Sequence, residues 1–246
     1  MATFTFLGTS VTCHSSWDNF FNDPIIQGHL LKMDQQITNM TLQNKTKYTP
    51  HKSDIFKVFK MDLAQCKVVI LGQDPYPQQN VATGRAFEEN GISSWKNVNQ
   101  ASLQSILKLL HMNQCNTIDP SSIDDVRNDI GINFNISSPD RLFNNWENNG
   151  VLLLNTALTC EQGTTQSASG SHLIIWSCFI QKVICFIQTH DDINWFLWGL
   201  EAQEFEKIIT NSSHTVHKSN HPASRGPAAD DFYTKNHFKQ VAINWY

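Results

Sequence analysis

Charge is scarce in this chain: 16% of its 246 residues are Asp, Glu, Lys or Arg, and the formal net charge is -4. Such a balance excludes a protein held to a polyanion by bulk electrostatics, because non-specific affinity for nucleic acid rises with the number of phosphates neutralised. Any such contact has to be local. Long apolar runs are missing too. The most apolar stretch, Leu173 to Ile187, is broken by Ser177, Gln181 and Lys182 and falls short of the roughly 20 residues that cross a bilayer. It reads as a buried helix. The start, Met1-Ala2-Thr3-Phe4-Thr5-Phe6-Leu7, has no basic leader before a long apolar core, so no signal peptide and no membrane partner are expected. The six cysteines, at 13, 66, 115, 160, 178 and 185, form no C-x-x-C pair. They argue against a disulfide framework or an iron-sulfur cluster, and several, lying in apolar runs, read as small core residues of an intracellular protein, cytoplasmic or nuclear.

What is present is organised around one segment. The run Lys67-Val68-Val69-Ile70-Leu71 leads straight into Gly72-Gln73-Asp74-Pro75-Tyr76-Pro77. A short β-branched run stopped by Gly and two prolines predicts a buried strand that delivers a carboxylate to its C-terminal edge. That edge is where ligands bind in open α/β sheets. Taken alone, Asp74 is either an Asx-turn residue or a catalytic carboxylate. Three more strand-like runs follow, Gly150 to Leu154, Ile193 to Trp198 and His214 to Lys218, with helical patterns between them. In Ala101 to Met112 the residues Leu103, Ile106, Leu107 and Leu110 fall on one helix face. Ser171 is placed to cap the helix that follows it, and Glu201 to Ile209 gives a short amphipathic stretch. Alternating strands and helices predict an α/β fold, a central four-stranded, mainly parallel sheet with helices on both faces, in a single domain spanning 1–246. Residues 113–149 are polar and Asn-rich, with Phe134, Leu142, Phe143 and Trp146 as thin apolar anchors. They read as a partly ordered surface loop without chemistry. From His214 to Lys239, the cations Lys218, Arg225, Lys235 and Lys239 with His214, His217, His221 and His237 offer the local positive patch that the overall charge demands.

The Gly72 to Pro77 string resembles the active-site signature of family 1 uracil-DNA glycosylases, and the resemblance continues in that family's order. Phe87 stands thirteen residues beyond Asp74. Then come Gly150-Val151-Leu152-Leu153-Leu154-Asn155-Thr156-Ala157-Leu158-Thr159, Ser171-His172, Trp198-Gly199-Leu200-Glu201-Ala202-Gln203 and His221-Pro222-Ala223-Ser224-Arg225. The resemblance implies a uracil-DNA glycosylase-like fold and hydrolysis of the N-glycosidic bond of deoxyuridine flipped out of DNA. It implies no metal and no cofactor, and a monomer acting on uracil-containing DNA, single- or double-stranded.

Breaking an N-glycosidic bond leaves positive charge on the sugar and negative charge on the departing base. A catalyst therefore needs a fixed anion near the sugar and donors around the base. By resemblance Asp74 supplies the anion and aligns water, while His221 donates to uracil O2 as a neutral electrophile. Gln73, Tyr76, Phe87 and Asn155 are assigned to the base: Phe87 stacks on it, Tyr76 fills the space of a 5-methyl group, and the Asn155 amide matches uracil O4 and N3–H. Cytosine presents the opposite pattern at both positions. Ser102, Gly199 and Ser224 are assigned to the DNA phosphates, and Arg225 to the vacated base stack or a phosphate.

The sequence departs from the family pattern at several of these places. Pro77 replaces a histidine, Val98-Asn99-Gln100-Ala101 replaces a proline-rich stretch and predicts a less rigid loop before Ser102, and Ala223 takes the place of a serine that returns one position later as Ser224. Leu200 stands where serine is frequent, and Arg225 where a leucine wedge is common. Two other readings remain open: a glycosylase-like DNA-binding or replication-accessory module with weakened catalysis, and a glycosylase of different base specificity. The carboxylate at Asp74 speaks against the latter, whose members usually carry Asn there.

Overall fold

The computed structural model describes residues 1–163, 172–224 and 231–246. An antiparallel hairpin, β1 (Thr3–Phe6) and β2 (Thr9–Thr12), opens the chain and turns through Leu7 and Gly8, both at positive φ. The short helix α1 (Asp18–Phe21) leads to α2 (Pro24–Asn44). Helix α2 starts where Asp23 accepts the Ile25 N–H at 2.7 Å, with Pro24 supplying a preset φ in its first turn. Next come β3 (Tyr48–Thr49), β4 (Val68–Gly72), α3 (Ala101–Cys115), α4 (Ile123–Asp129) and α5 (Pro139–Asn148). The chain continues with β5 (Val151–Asn155), β6 (Cys160–Glu161), α6 (Leu173–Ile187), β7 (Asn194–Trp198), α7 (Leu200–Gln203), β8 (Thr215–Ser219) and α8 (Phe232–Lys235).

Four strands form one sheet in the order β5-β4-β7-β8, every pair parallel. Their side chains alternate between two apolar layers. Val69, Leu71, Leu152, Leu154, Trp195 and Leu197 face one layer, with the phenylalanines of the amino-terminal segment and the inner faces of α2 and α6. Val68, Ile70, Val151, Leu153, Phe196 and Trp198 face the other, with α3, α5 and the carboxyl-terminal aromatics. A strand buried on both faces has no polar alternation to show, which is why β4 and β5 read as continuous apolar runs. The parallel register brings Gly72 opposite Asn155 and Trp198 opposite Ser219, so the carboxyl ends of all four strands lie along one edge.

Two small antiparallel pairs, β1 with β2 and β3 with β6, were not expected from the sequence. Their strands run two to four residues, too short for a periodicity to register. The largest correction concerns residues 113–149. This stretch is no surface loop: it holds α4 and α5, and Val126, Phe134, Leu142, Phe143 and Trp146 are fully buried. In α5 the apolar residues at 142, 143 and 146 form one face, and the Trp146 indole donates to the Trp245 carbonyl at 3.0 Å. Few apolar residues suffice when each is large and all point one way.

Other expectations fare unevenly. Cys13, Cys66 and Cys160 are buried, but Cys178 and Cys185 lie on the exposed side of α6. Ser171 lies outside the described residues, and His172, the residue before α6, makes no side-chain cap. The histidines near the carboxyl terminus do not add positive charge as a group. His237 is buried and accepts from the Trp198 indole at 2.9 Å, and burial with the neighbouring His217 pushes its pKa down to about 4. His214 accepts from the Trp195 indole at 2.9 Å, while burial lowers His217, which bonds Gln240 and Asn194. Lys218 is paired with Glu206. Among the described residues no helix is long and apolar enough to cross a membrane.

Candidate active site

The carboxyl edge of the sheet opens into a cavity of about 300 Å³. Gln73, Asp74, Tyr76, Phe87, Ser102, Asn155, His221 and Ser224 all line it, so eight residues from five separate sequence blocks meet in one place. Gly199 borders an adjoining concavity shared with Gln73, His221 and Ser224. Arg225 lies outside the described residues.

The loop after β4 is fastened from one side. The segment following β5 covers its carbonyls in turn: Thr156 N–H bonds the Gly72 oxygen and Ala157 N–H the Gln73 oxygen, each at 2.9 Å. Cys160 Sγ donates to the Pro75 oxygen at 3.1 Å, and Gly163 N–H to the Pro77 oxygen at 2.8 Å. Asp74 is thus presented from a backbone that cannot slide. Burial pushes the Cys160 thiol up to about 12, reinforced by the negative charges of Asp74 and Glu161.

Asn155 ends β5 beside Gly72, and the contact is close. A Cβ at Gly72 would stand 2.4 Å from Asn155 Oδ1 and 2.9 Å from the Ala86 methyl, so only glycine fits there. Asn155 is 3% exposed. Among the described residues, no group hydrogen-bonds its amide. Its amide opens onto the cavity with both donor and acceptor free to meet a guest.

His221 reaches the cavity from the loop after β8. Its Nδ1 accepts the Ala223 N–H at 3.2 Å, and burial lowers its pKa. A backbone N–H has only a proton to give, so Nδ1 holds the lone pair and the neutral ring carries its proton on Nε2. Gly199 makes room for this: at φ +96° it sits where a Cβ would lie 3.0 Å from His221 Cβ.

Phe87 has a left-handed backbone, φ +64°, a conformation that costs a bulky residue roughly 1–3 kcal/mol. It is held by the Tyr76 hydroxyl, 3.3 Å from the Phe87 oxygen, and by Trp198, whose ring centroid is 5.4 Å away. The His221 ring is 5.9 Å off, tilted 38°. Tyr76 does more than occupy space, since its hydroxyl also meets Ser102 Oγ at 3.0 Å and burial raises its pKa.

Sequence reasoning missed the scaffold behind these groups. Arg85 lines the cavity and reaches α5, its Nη2 pairing with Glu147 at 2.6 Å and its Nη1 donating to Asn144 at 2.9 Å and to Glu88 at 3.1 Å. The stretch before Ser102 was expected to lack rigidity for want of proline, yet it is tied down. Arg127 of α4 donates from Nε to the Trp95 oxygen at 3.0 Å and from Nη2 to the Val98 oxygen at 2.6 Å. The Trp95 indole bonds the Ser137 oxygen at 2.9 Å. The segment given no chemistry thus braces both loops that border the cavity. No spacing in the sequence announces a lone arginine as a brace.

The fold and site define a class: an open parallel α/β protein whose strand ends carry a carboxylate, a neutral imidazole, an unpartnered amide and an aromatic face around a cavity with room for a small planar ring. The chain belongs to the uracil DNA glycosylase superfamily, whose family model matches residues 59–245. It is 38% identical over 198 residues to the uracil-DNA glycosylase of Coxiella burnetii, spanning 79% of this chain and 75% of that one. To the Haemophilus ducreyi uracil-DNA glycosylase it is 31% identical over 243 residues, 94% of this chain and 97% of that one. In fold it is similar to the mimivirus uracil-DNA glycosylase, with TM-score 0.69 and 20% identity, covering 92% of this chain and 81% of that one. The Nitratifractor salsuginis structure gives TM-score 0.66 at 21% identity, covering 92% and 87%.

Proposed function

We propose that the chain is a uracil-DNA glycosylase that hydrolyses the N-glycosidic bond of deoxyuridine rotated out of DNA, releasing uracil and leaving an abasic site for repair. The observation that carries this reading is the unpartnered Asn155 amide facing the same cavity as Asp74 and His221. Its donor and acceptor complement uracil O4 and N3–H, whereas cytosine would set donor against donor and acceptor against acceptor. Phe87 offers the base a stacking face. Tyr76, locked by Ser102 and the Phe87 carbonyl, stands where a thymine methyl would go.

In the reaction the bond between sugar and base lengthens, the sugar becomes cationic and the base anionic. Asp74 stabilises the sugar and orients the water that adds to it. His221, neutral with its proton on Nε2, donates to uracil O2 as negative charge gathers there. A neutral donor is the better match, since a cationic imidazole in that buried position would have to be kept charged against desolvation. Ser102, Gly199 and Ser224 take the flanking phosphates. Arg225, which follows Ser224, takes the vacated base stack or the neighbouring phosphate. The active form is an intracellular monomer of one domain.

The test is release of free uracil from defined oligonucleotides, with alkali-sensitive abasic product. Asp74→Asn and His221→Leu should each slow single-turnover release by roughly 10² to 10⁴ while DNA binding survives. Wild-type protein that binds DNA but releases no uracil would identify an accessory module instead, and variants within a few-fold of wild type would displace these two residues from the chemistry.

A further inference from the structure

Away from the cleft, three side chains of different ligand chemistry converge between α3 and α4. His111 and Cys115 stand one turn apart on α3, and Asp129 closes α4. One ligand atom from each lies within 4.8 Å of the others. His111 is about 14 Å along the helix from Ser102, at 1.5 Å per residue, so this cluster is separate from the proposed active site.

We propose that His111, Cys115 and Asp129 form a zinc site that fastens α4 to α3. Imidazole nitrogen, thiolate sulfur and carboxylate oxygen are the three donor types zinc takes, and three protein ligands plus water complete its tetrahedron. The distances suit it. His111 Nε2 is 2.9 Å and Cys115 Sγ 3.7 Å from Asp129 Oδ2. Zinc bonds of ordinary length at tetrahedral angles require edges of roughly 3.3 Å for N to O and 3.6 Å for S to O and N to S, so the first edge must open by a few tenths of an ångström while the N to S edge, within 4.8 Å here, settles at its tetrahedral length.

The surroundings fit as well. The other Asp129 oxygen accepts from the Asn133 amide at 2.7 Å, the kind of outer contact that orients a ligating carboxylate. Phe134 packs its edge against the His111 ring at 5.3 Å and 87°. His111 is 5% exposed, whereas Cys115 and Asp129 are partly open, which leaves water a path to the fourth position. Nδ1 of His111 is buried without a partner among the described residues. It can therefore take the ring proton when Nε2 turns its lone pair to the ion, and the Cys115 S–H bond breaks with its proton passing to solvent. No oxidation or reduction is involved. The consequence reaches the cleft, because α4 also carries Arg127, which holds the loop before Ser102.

The test uses the full chain freed of metal by chelator and titrated with zinc chloride, with cobalt(II) as the spectroscopic probe. The expected result is one ion bound per chain with Kd of about 1 µM or below, and a thiolate-to-cobalt charge-transfer band. At ten times Kd, zinc should raise the melting temperature by roughly 3–6 °C. Cys115→Ser and Asp129→Asn, close in size to the native residues, should each weaken binding by roughly 10²-fold or more, and the serine variant should lose the band. Absence of saturable binding would overturn the proposal. So would binding of equal strength in both variants, which would move the ion to other histidines such as His217 or His190.

Discussion

At the scale of single residues, the cavity depends on groups that have almost no side chain. Gly72 lets the Asn155 amide lie against the strand next door, and Gly199 lets His221 close down on the edge of β7. Gly72→Ala is the sharper test of the two. Its methyl would sit 2.4 Å from Asn155 Oδ1, so the amide must move by about 1 Å to restore van der Waals contact, and a misplacement of that size costs roughly 10²-fold in rate. Uracil release should fall by that factor while circular dichroism stays native. An unchanged rate would mean that Asn155 does not read the base from this position. Much of this level was legible beforehand: Asp74, Asn155 and His221 are each marked by a strand end or a proline turn, and the fold brings them together. The closeness of Gly72 to Asn155 was not, since it depends on the register between two strands that are about eighty positions apart in the chain.

At the scale of elements, the parallel sheet and the long helices were readable because burial on both faces leaves continuous apolar runs and helical faces leave a 3.6-residue period. The helices α4 and α5 were not, because their anchors are few and their polar faces dominate the composition. Yet they do the bracing. The fork of Arg127 grips two carbonyls of the turn before α3, at 95 and 98, adding to the Val98 N–H and the Gln104 amide that also reach them. Arg127→Ala should therefore lower stability by roughly 2–4 kcal/mol, the scale of two hydrogen bonds from a charged donor. It should also loosen Ser102, so DNA affinity falls by about tenfold while the single-turnover rate at saturating DNA stays within a few-fold. Arg127→Lys keeps the charge but not the planar fork, and should recover little of either. Full recovery by lysine would show that the charge, rather than the paired geometry, matters at this position.

At the scale of the whole molecule, the low charge content has a counterpart in histidines kept neutral. Burial lowers the pKa of His172, His217, His221 and His237. His172 shares its Nδ1 with Thr159 Oγ1 at 2.8 Å, and that hydroxyl accepts from the Trp176 indole at 2.7 Å. Above pH 6.5 both the folded and the unfolded chain hold these rings neutral, and their full contribution to stability is present. As the pH falls below 6.5 the unfolded chain takes up protons that the folded chain refuses, so the unfolded state gains. For His237 the loss is spread between 6.5 and about 4 and amounts to roughly 3 kcal/mol, a large share of the 5–15 kcal/mol that holds an ordinary domain together. Urea unfolding between about pH 7.5 and 4.5 should show stability falling with acid, and His237→Gln, which keeps an acceptor for the Trp198 indole without a titrating ring, should flatten the slope in that window. The same argument separates the fold from the chemistry. Because burial also lowers His221, uracil release in short assays should hold steady from neutral pH to below 6.5 and decline only on the acid side of it. A rate that peaks near pH 6 and vanishes as His221 loses a proton would instead require a cationic donor, and would reverse the role given to that ring.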